Sequence, residues 1–218
     1  LAKDGTVALA GLGVTLDGNL MAYGLSAAGS DWQEWRVRDL QTGKDLPDVV
    51  KWIKFSGVAW TKDSKGFFYG RYDEPKNIGK SLEDLNFFHK LYYHRLGTPQ
   101  AQDALVYEDK THKEWQFVPA VTDDGKYLIV TVSKGTDHKF RILYKTLDKP
   151  GSKFVELINN FDAEYTFIDN DGPVFYFKTD LKSPKAKVIA IDVRKPSERR
   201  DLIGESADTL QHVSLVNN

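Results

Sequence analysis

Residues 55–70 read FSGVAWTKDSKGFFYG. A short apolar run, Val58-Ala59-Trp60, enters a polar turn, and an aromatic run over 67–72 leaves it. The same order recurs along the chain. Turns of the form Thr-x-Asp-Gly, or a near variant, stand at Thr15-Leu16-Asp17-Gly18, Thr61-Lys62-Asp63-Ser64-Lys65-Gly66 and Thr122-Asp123-Asp124-Gly125, with a looser copy at Asp169-Asn170-Asp171-Gly172. Aspartates 17, 63, 124 and 171 are therefore 46, 61 and 47 residues apart. The long interval contains residues 73–86, a polar stretch with Pro75, Asn77 and Gly79 that reads as an inserted loop. Asp-Gly suits a two-residue hairpin, because both residues tolerate the positive φ of a primed turn.

The flanks repeat with the turn. A β-branched or aromatic run follows each one, at 20–25, 67–72, 127–132 and 174–178. A third run follows at 32–40, 90–96, 140–147 and 187–193, and a shorter fourth at 104–107, 154–158 and 201–203. Several runs alternate with period two, as strands do. Four strands per unit, at a unit length near 46, is the pattern of β-propeller blades. The sequence thus predicts an all-β fold of about four four-stranded blades, at 7–50, 55–109, 117–160 and 162–206. An extra strand at 210–216 would begin a fifth. A β-sandwich with recurring Asp-Gly turns is the alternative, disfavoured because strand order repeats as well as turn. Helical periodicity is absent apart from a weak hint at 47–54.

Composition narrows the function classes. Charged residues make up 28% and the net charge is −1, so the whole chain exerts no strong pull on nucleic acid or anionic lipid. No apolar stretch approaches the length of a membrane span. The chain has no cysteine, which excludes disulfides, a cysteine nucleophile and thiolate metal sites. It starts at Leu1 with no charged-then-apolar leader, so it reads as a processed product or a piece of something longer. A propeller cut in this way would leave apolar blade faces bare at both ends and associate through them.

Four strings carry a resemblance: DGTVALAGLGVTLDGNLMAYGLSAAGSDWQEWRVRDLQTGKDLPD at 4–48, KFSGVAWTKDSKGFFY at 54–69, HKLYYHRLGT at 89–98 and VIAIDVRKP at 188–196. They resemble the propeller of the prolyl oligopeptidase family, serine endopeptidases also called prolyl endopeptidases. The resemblance implies a seven-bladed propeller capping an α/β-hydrolase domain. The hydrolase carries a Ser-Asp-His triad and cuts short peptides after proline. The propeller screens substrates by size and lends side chains to outer subsites. The implied partners are short proline-containing peptides and the hydrolase domain of the same parent protein, with no cofactor, nucleic acid or membrane. The implied compartment is the cytoplasm, with the periplasm as alternative.

The catalytic machinery is not in this chain. A hydrolase elbow needs Gly-x-Ser-x-Gly, and neither Gly29-Ser30 nor Gly204-Glu205-Ser206 fits. The histidines are 89, 94, 112, 138 and 212. His89 and His94 alternate with Leu91, Tyr92 and Tyr93 and read as sheet-surface residues. No histidine–carboxylate spacing suggests a metal site. Gly11-Leu12-Gly13 reads as a place for close packing near the propeller axis. The chain alone is therefore expected to be inactive, with no catalytic or metal residue.

The resemblance assigns the outer subsite residue by residue. Phe55 matches a family phenylalanine lining the pocket for the substrate residue two positions before the proline; on sequence alone an ordinary core phenylalanine is the alternative. Gln116 stands where relatives can carry methionine and Thr136 where some carry cysteine, which makes this pocket more polar. Lys134 stands where an arginine occurs and would lose its bidentate geometry; a solvated loop lysine is the alternative. Trp32, Trp35, Trp52, Trp60 and Trp115 read as blade-packing residues. A stand-alone propeller for protein interaction is the competing function. A third is an unrelated glycan- or cofactor-binding propeller.

Overall fold

The computed structural model describes residues 5–75 and 86–216. They form four four-stranded sheets, each following chain order. The first holds β1 (Val7–Val14), β2 (Leu20–Ala27), β3 (Gln33–Asp39) and β4 (Asp45–Ile53). The second holds β5 (Val58–Trp60), β6 (Gly66–Arg71), β7 (Lys90–Arg95) and β8 (Ala104–Glu108). The third holds β9 (Trp115–Val121), β10 (Tyr127–Lys134), β11 (Arg141–Thr146) and β12 (Val155–Ile158). The fourth holds β13 (Tyr165–Asp171), β14 (Val174–Thr179), β15 (Lys187–Asp192) and β16 (Arg199–Ile203). A 3-10 turn, Gln100–Gln102, lies between β7 and β8. The chain divides into two compact units, Leu1–Val121 and Thr122–Asn218.

The repeated turn is wider than the two-residue hairpin expected from Asp-Gly. In the first three copies Thr15, Thr61 and Thr122 close four-residue loops, their N–H groups donating to Leu20, Gly66 and Tyr127 carbonyls at 2.9–3.1 Å. The side chains explain the extra width. Each threonine hydroxyl donates to the aspartate two residues on: Thr15 to Asp17 (2.5 Å), Thr61 to Asp63 (2.8 Å) and Thr122 to Asp124 (2.6 Å). The same carboxylates accept the N–H groups of Asn19, Lys65 and Lys126. Gly18, Ser64 and Gly125 take the left-handed conformation that follows, with φ of 71°, 56° and 73°. The hydrogen bond from Thr15, first among several, holds the Asp17 carboxyl down at about 2. Only the fourth copy is a two-residue loop, with Asp171 paired to Val174 across Gly172 and Pro173.

Each unit also links a turn to the following sheet. Ser64 Oγ donates to Asp17 Oδ2 at 3.2 Å, and Asn170 Nδ2 donates to Asp124 Oδ2 at 3.1 Å. An aspartate of one sheet's turn thus accepts from the next sheet in both units, from Ser64 of a turn in the first and from Asn170 near the end of β13 in the second.

Sheet faces pack through glycine. In the first unit, a Cβ on Gly24 would lie 2.6 Å from the Trp35 ring and one on Gly13 would lie 2.8 Å from Val58. Gly13 also offers its carbonyl to Trp60 Nε1 at 2.9 Å. The glycines 11 and 13 therefore do permit close packing, against Trp35 within the sheet and against the next sheet's first strand. In the second unit, Phe175 gathers Tyr127, Tyr144 and Phe167 within 4.9–5.8 Å of its ring centre.

Three expectations change. Residues 45–53, with the weak helical hint, form β4; Pro47 is tolerated there because β4 is an edge strand of its sheet. Residues 210–216 carry no strand pairing; a strand needs a ladder partner, and Leu210 N–H instead donates to Lys185 O at 2.9 Å. His89 and His94 are not surface residues, being 1% and 0% exposed. β7 is an inner strand of its sheet, so alternation there does not report exposure. Of the inserted loop at 73–86, residues 76–85 lie outside the described residues; Asp73 at its start pairs with Lys90 Nζ at 2.6 Å.

Gly70 gives the packing a direct test. A Cβ there would meet the His89 ring and lie 2.6 Å from the Phe117 carbonyl oxygen, a backbone atom that cannot swing aside. Gly70→Ala should cost about 1–3 kcal/mol by overpacking. Gly57, whose Cβ would meet nothing within 4 Å, should tolerate alanine within about 0.5 kcal/mol. Urea unfolding of both variants makes the comparison, and equal costs would show that the close approach at Gly70 is not limiting.

Candidate functional site

The first unit carries two buried polar clusters where its first and second sheets meet. In one, His94 on β7 lies between two carboxylates. Its Nδ1 is 2.8 Å from Asp103 Oδ1 and its Nε2 is 3.1 Å from Asp48 Oδ1. Asp48 is on β4 of the first sheet, and Asp103 follows the 3-10 turn of the second. All three side chains are at most 3% exposed. The remaining partners are donors: Gly97 N–H to Asp48 Oδ1 (2.6 Å) and Tyr69 hydroxyl to Asp103 Oδ2 (2.6 Å). Gln100 continues the link, its amide donating to Tyr69 Oη (3.1 Å) and to Lys51 O (3.1 Å) on β4 and accepting from Lys51 N–H.

Between two ionised carboxylates both imidazole nitrogens must donate, which is the pattern of an imidazolium. Burial alone would lower its pKa; the hydrogen bond and charge of Asp103, then those of Asp48, outweigh it and raise the pKa above 6.5. Burial and the Asp103 bond also push the Tyr69 hydroxyl far up, so it stays a donor. The cluster is an ionic clasp between sheets.

The second cluster is an aromatic wall around the crossover from β4 to β5. Trp32 meets Trp52 edge-on at 5.9 Å and Tyr72 at 6.1 Å. Lys54 Nζ lies 4.1 Å above the Trp32 ring and donates to Asn86 Oδ1 at 3.2 Å. Tyr72 N–H donates to Trp52 O at 3.0 Å. Burial pushes the Tyr72 hydroxyl up to about 12, and the neighbouring Gln116 side chain opposes the shift. His89 closes the wall, 4.7 Å from Tyr72. Burial drives its pKa down to about 3, and the neutral ring accepts Phe117 N–H at Nδ1 (3.0 Å).

Phe55 follows Lys54 in the crossover that this wall surrounds. It is 47% exposed, while its neighbours Lys54 and Ser56 are buried. Its φ is 55°, and that of Trp52 is 64°. Gln116, half-buried on β9, lies beside Tyr72 of this wall. Lys134 ends β10 and Thr136 lies in the turn after it, both exposed in the second unit. Gln116 and Phe55 thus both belong to the first unit, and Lys134 and Thr136 to the second. The sequence reading missed Lys54 and the Asp48–His94–Asp103 clasp. The signal for the first was a lysine inside the apolar run Trp52-Ile53-Lys54-Phe55. The clasp partners are 46 and 9 residues from His94, a spacing that no short motif records.

All of residues 1–218 match the family model described as prolyl oligopeptidase, N-terminal beta-propeller domain. Prolyl oligopeptidase A from Galerina marginata is 36% identical over 236 residues, covering 100% of this chain and 32% of its own length. A prolyl endopeptidase from Elizabethkingia meningoseptica is 34% identical, covering 96% of this chain and 30% of its own. Among solved structures, prolyl oligopeptidase B from Galerina marginata bound to a 25mer macrocyclization substrate superposes with a TM-score of 0.89 at 35% identity, over 100% of this chain and 32% of that one. The chain thus spans about a third of the length of these relatives.

The clasp predicts how stability depends on pH. His94→Gln leaves two buried carboxylates without their cation and should cost about 3–5 kcal/mol near pH 6. The folded protein holds the His94 proton above its ordinary pKa of 6.5. The clasp's contribution is therefore complete below that value and is lost as pH rises through the folded pKa. The stability gap between wild type and His94→Gln should narrow across that range in denaturant titrations. A gap that stays constant well into the alkaline range would mean a neutral imidazole.

Proposed function

The chain belongs to the prolyl oligopeptidase family as its N-terminal β-propeller domain, and on that premise we propose that it forms the substrate-screening part of a serine endopeptidase that cleaves short peptides after proline. The hydrolase chemistry lies elsewhere in such a protein, since this sequence has no glycine-flanked serine elbow. What the chain contributes is selection. The observation carrying this reading is Phe55, a half-exposed aromatic between two buried residues, held in the left-handed region. Non-glycine residues held there are rare and cluster where a side chain must be presented to a partner. An aromatic ring supplies apolar contact area at little entropy cost, which suits a pocket for the substrate residue two positions before proline.

Gln116 gives the same pocket a polar side. It sits beside Tyr72, in the wall around the crossover that carries Phe55. Thr136 and Lys134, in the second unit, offer a hydroxyl and a cation suited to the peptide backbone or a terminal carboxylate. The partners in this reading are short proline-containing peptides and the hydrolase domain of the parent protein. The compartment is the cytoplasm, with the periplasm as the alternative that cell fractionation would decide.

The test is selectivity in the full-length protein. Phe55→Ala should lower kcat/KM by about 10- to 100-fold for peptides with an aromatic residue two before proline, the equivalent of roughly 1–3 kcal/mol of apolar contact. Dipeptide substrates, which do not reach that pocket, should lose far less. Equal losses on both would mark a folding defect and defeat the subsite assignment.

A further inference from the structure

Phe55 owes its presentation to the residue before it. We propose that Lys54 is a positioning residue for the outer substrate subsite, holding the crossover 52–56 in the shape that turns Phe55 outward. The inference rests on the subsite reading of Phe55 and deepens it.

A lysine only 3% exposed is unusual, because its ammonium must be recovered from water by specific partners. Here those partners come from two sheets. Trp32 lies just before β3 of the first sheet and offers its ring face at 4.1 Å. Asn86 lies just before β7 of the second and offers its side-chain oxygen at 3.2 Å. The crossover between those sheets is thereby tied to both through one side chain.

The backbone on either side needs such a tie. Trp52 and Phe55 both have positive φ, a region that branched or bulky side chains leave unless their surroundings over-determine them. Two anchors are backbone-directed: Tyr72 N–H to Trp52 O at 3.0 Å, and Gly70 N–H to Ser56 Oγ at 3.0 Å. The Lys54 side chain adds a third tie, placed between the two left-handed residues. Its buried ammonium draws the chain inward at 54, and the positive φ at 55 then directs the next side chain out. A cation over an indole face is the strongest of the aromatic–cation pairings, and its attraction grows as water is excluded.

The experiment compares Lys54→Met, Lys54→Arg and Phe55→Ala in the full-length protein. The readout is the ratio of kcat/KM for a peptide with an aromatic residue two before proline to that for a dipeptide substrate, with KM and kcat resolved. Lys54→Met keeps the side chain's length and removes its charge. It should lower the ratio about 10-fold, mainly through KM, and Lys54→Arg should recover most of it because a guanidinium also stacks on indole. A crystal structure of Lys54→Met should show Phe55 outside the left-handed region. An unchanged ratio for Lys54→Met, beside a lowered one for Phe55→Ala, would overturn the role of Lys54 and leave the subsite standing. Equal losses on both substrates, or Phe55 keeping its φ in the variant, would also overturn it. A ratio unmoved by Phe55→Ala would sink the subsite reading and this inference together.

Discussion

The imidazolium of His94, held between Asp48 and Asp103, sets how the first sheet meets the second. Most contact between the two faces is apolar and could slide by a fraction of a residue at small cost. The clasp cannot slide, because each of its hydrogen bonds has a direction and each partner is buried. Asp48 also accepts Gly97 N–H at 2.6 Å, and Gln100 exchanges two hydrogen bonds with the Lys51 backbone. These bonds pin β4 along its length to the loop between β7 and β8. A buried ion pair of this kind is a weak source of net stability, and its directional bonds are suited to fixing register. With β4 fixed, the crossover after Ile53 has fixed ends, and Phe55 has a defined place to stand.

The turns do related work at another edge of the sheets. The aspartate that closes each four-residue loop has a second oxygen to spare. In both units that oxygen accepts from the following sheet, Ser64 to Asp17 and Asn170 to Asp124. The Thr-x-Asp sequence thus serves two roles with one carboxylate, shaping a loop and linking it to the next sheet. That suits aspartate over asparagine at 17 and 124, since a carboxylate has about four acceptor lone pairs where a neutral amide would offer about two.

The repeat was legible because its parts are local. Strand, turn and strand sit close together in the chain, and the aspartate spacing of 46 and 47 exposes the unit length. Loop width was not legible from Asp-Gly alone, because the threonine hydroxyl ahead of the aspartate sets it. Nor was the burial of His89 and His94. Period-two alternation separates the two faces of a strand, but β6 is covered on both, as the unbroken burial of residues 66–70 shows, and β7 is its inner neighbour. The subsite was only half legible. Phe55 and Gln116 came from a motif match. Lys54 went unread because a lysine in a sequence looks solvated until the fold closes a tryptophan over it. The clasp needed three segments, around 48, 94 and 103, and no local pattern joins them.

The protonation state of His94 is where this account can be tested most directly. At pH 6.5 a free imidazole is half protonated. Nitrogen-15 NMR of the His94 ring at that pH should show two protonated nitrogens in most molecules, with both N–H protons shifted downfield by their carboxylate acceptors and slow to exchange. A spectrum with one bare ring nitrogen would mean that one aspartate carries the proton or that the clasp is open. The ionic link assigned to the junction would then be wrong.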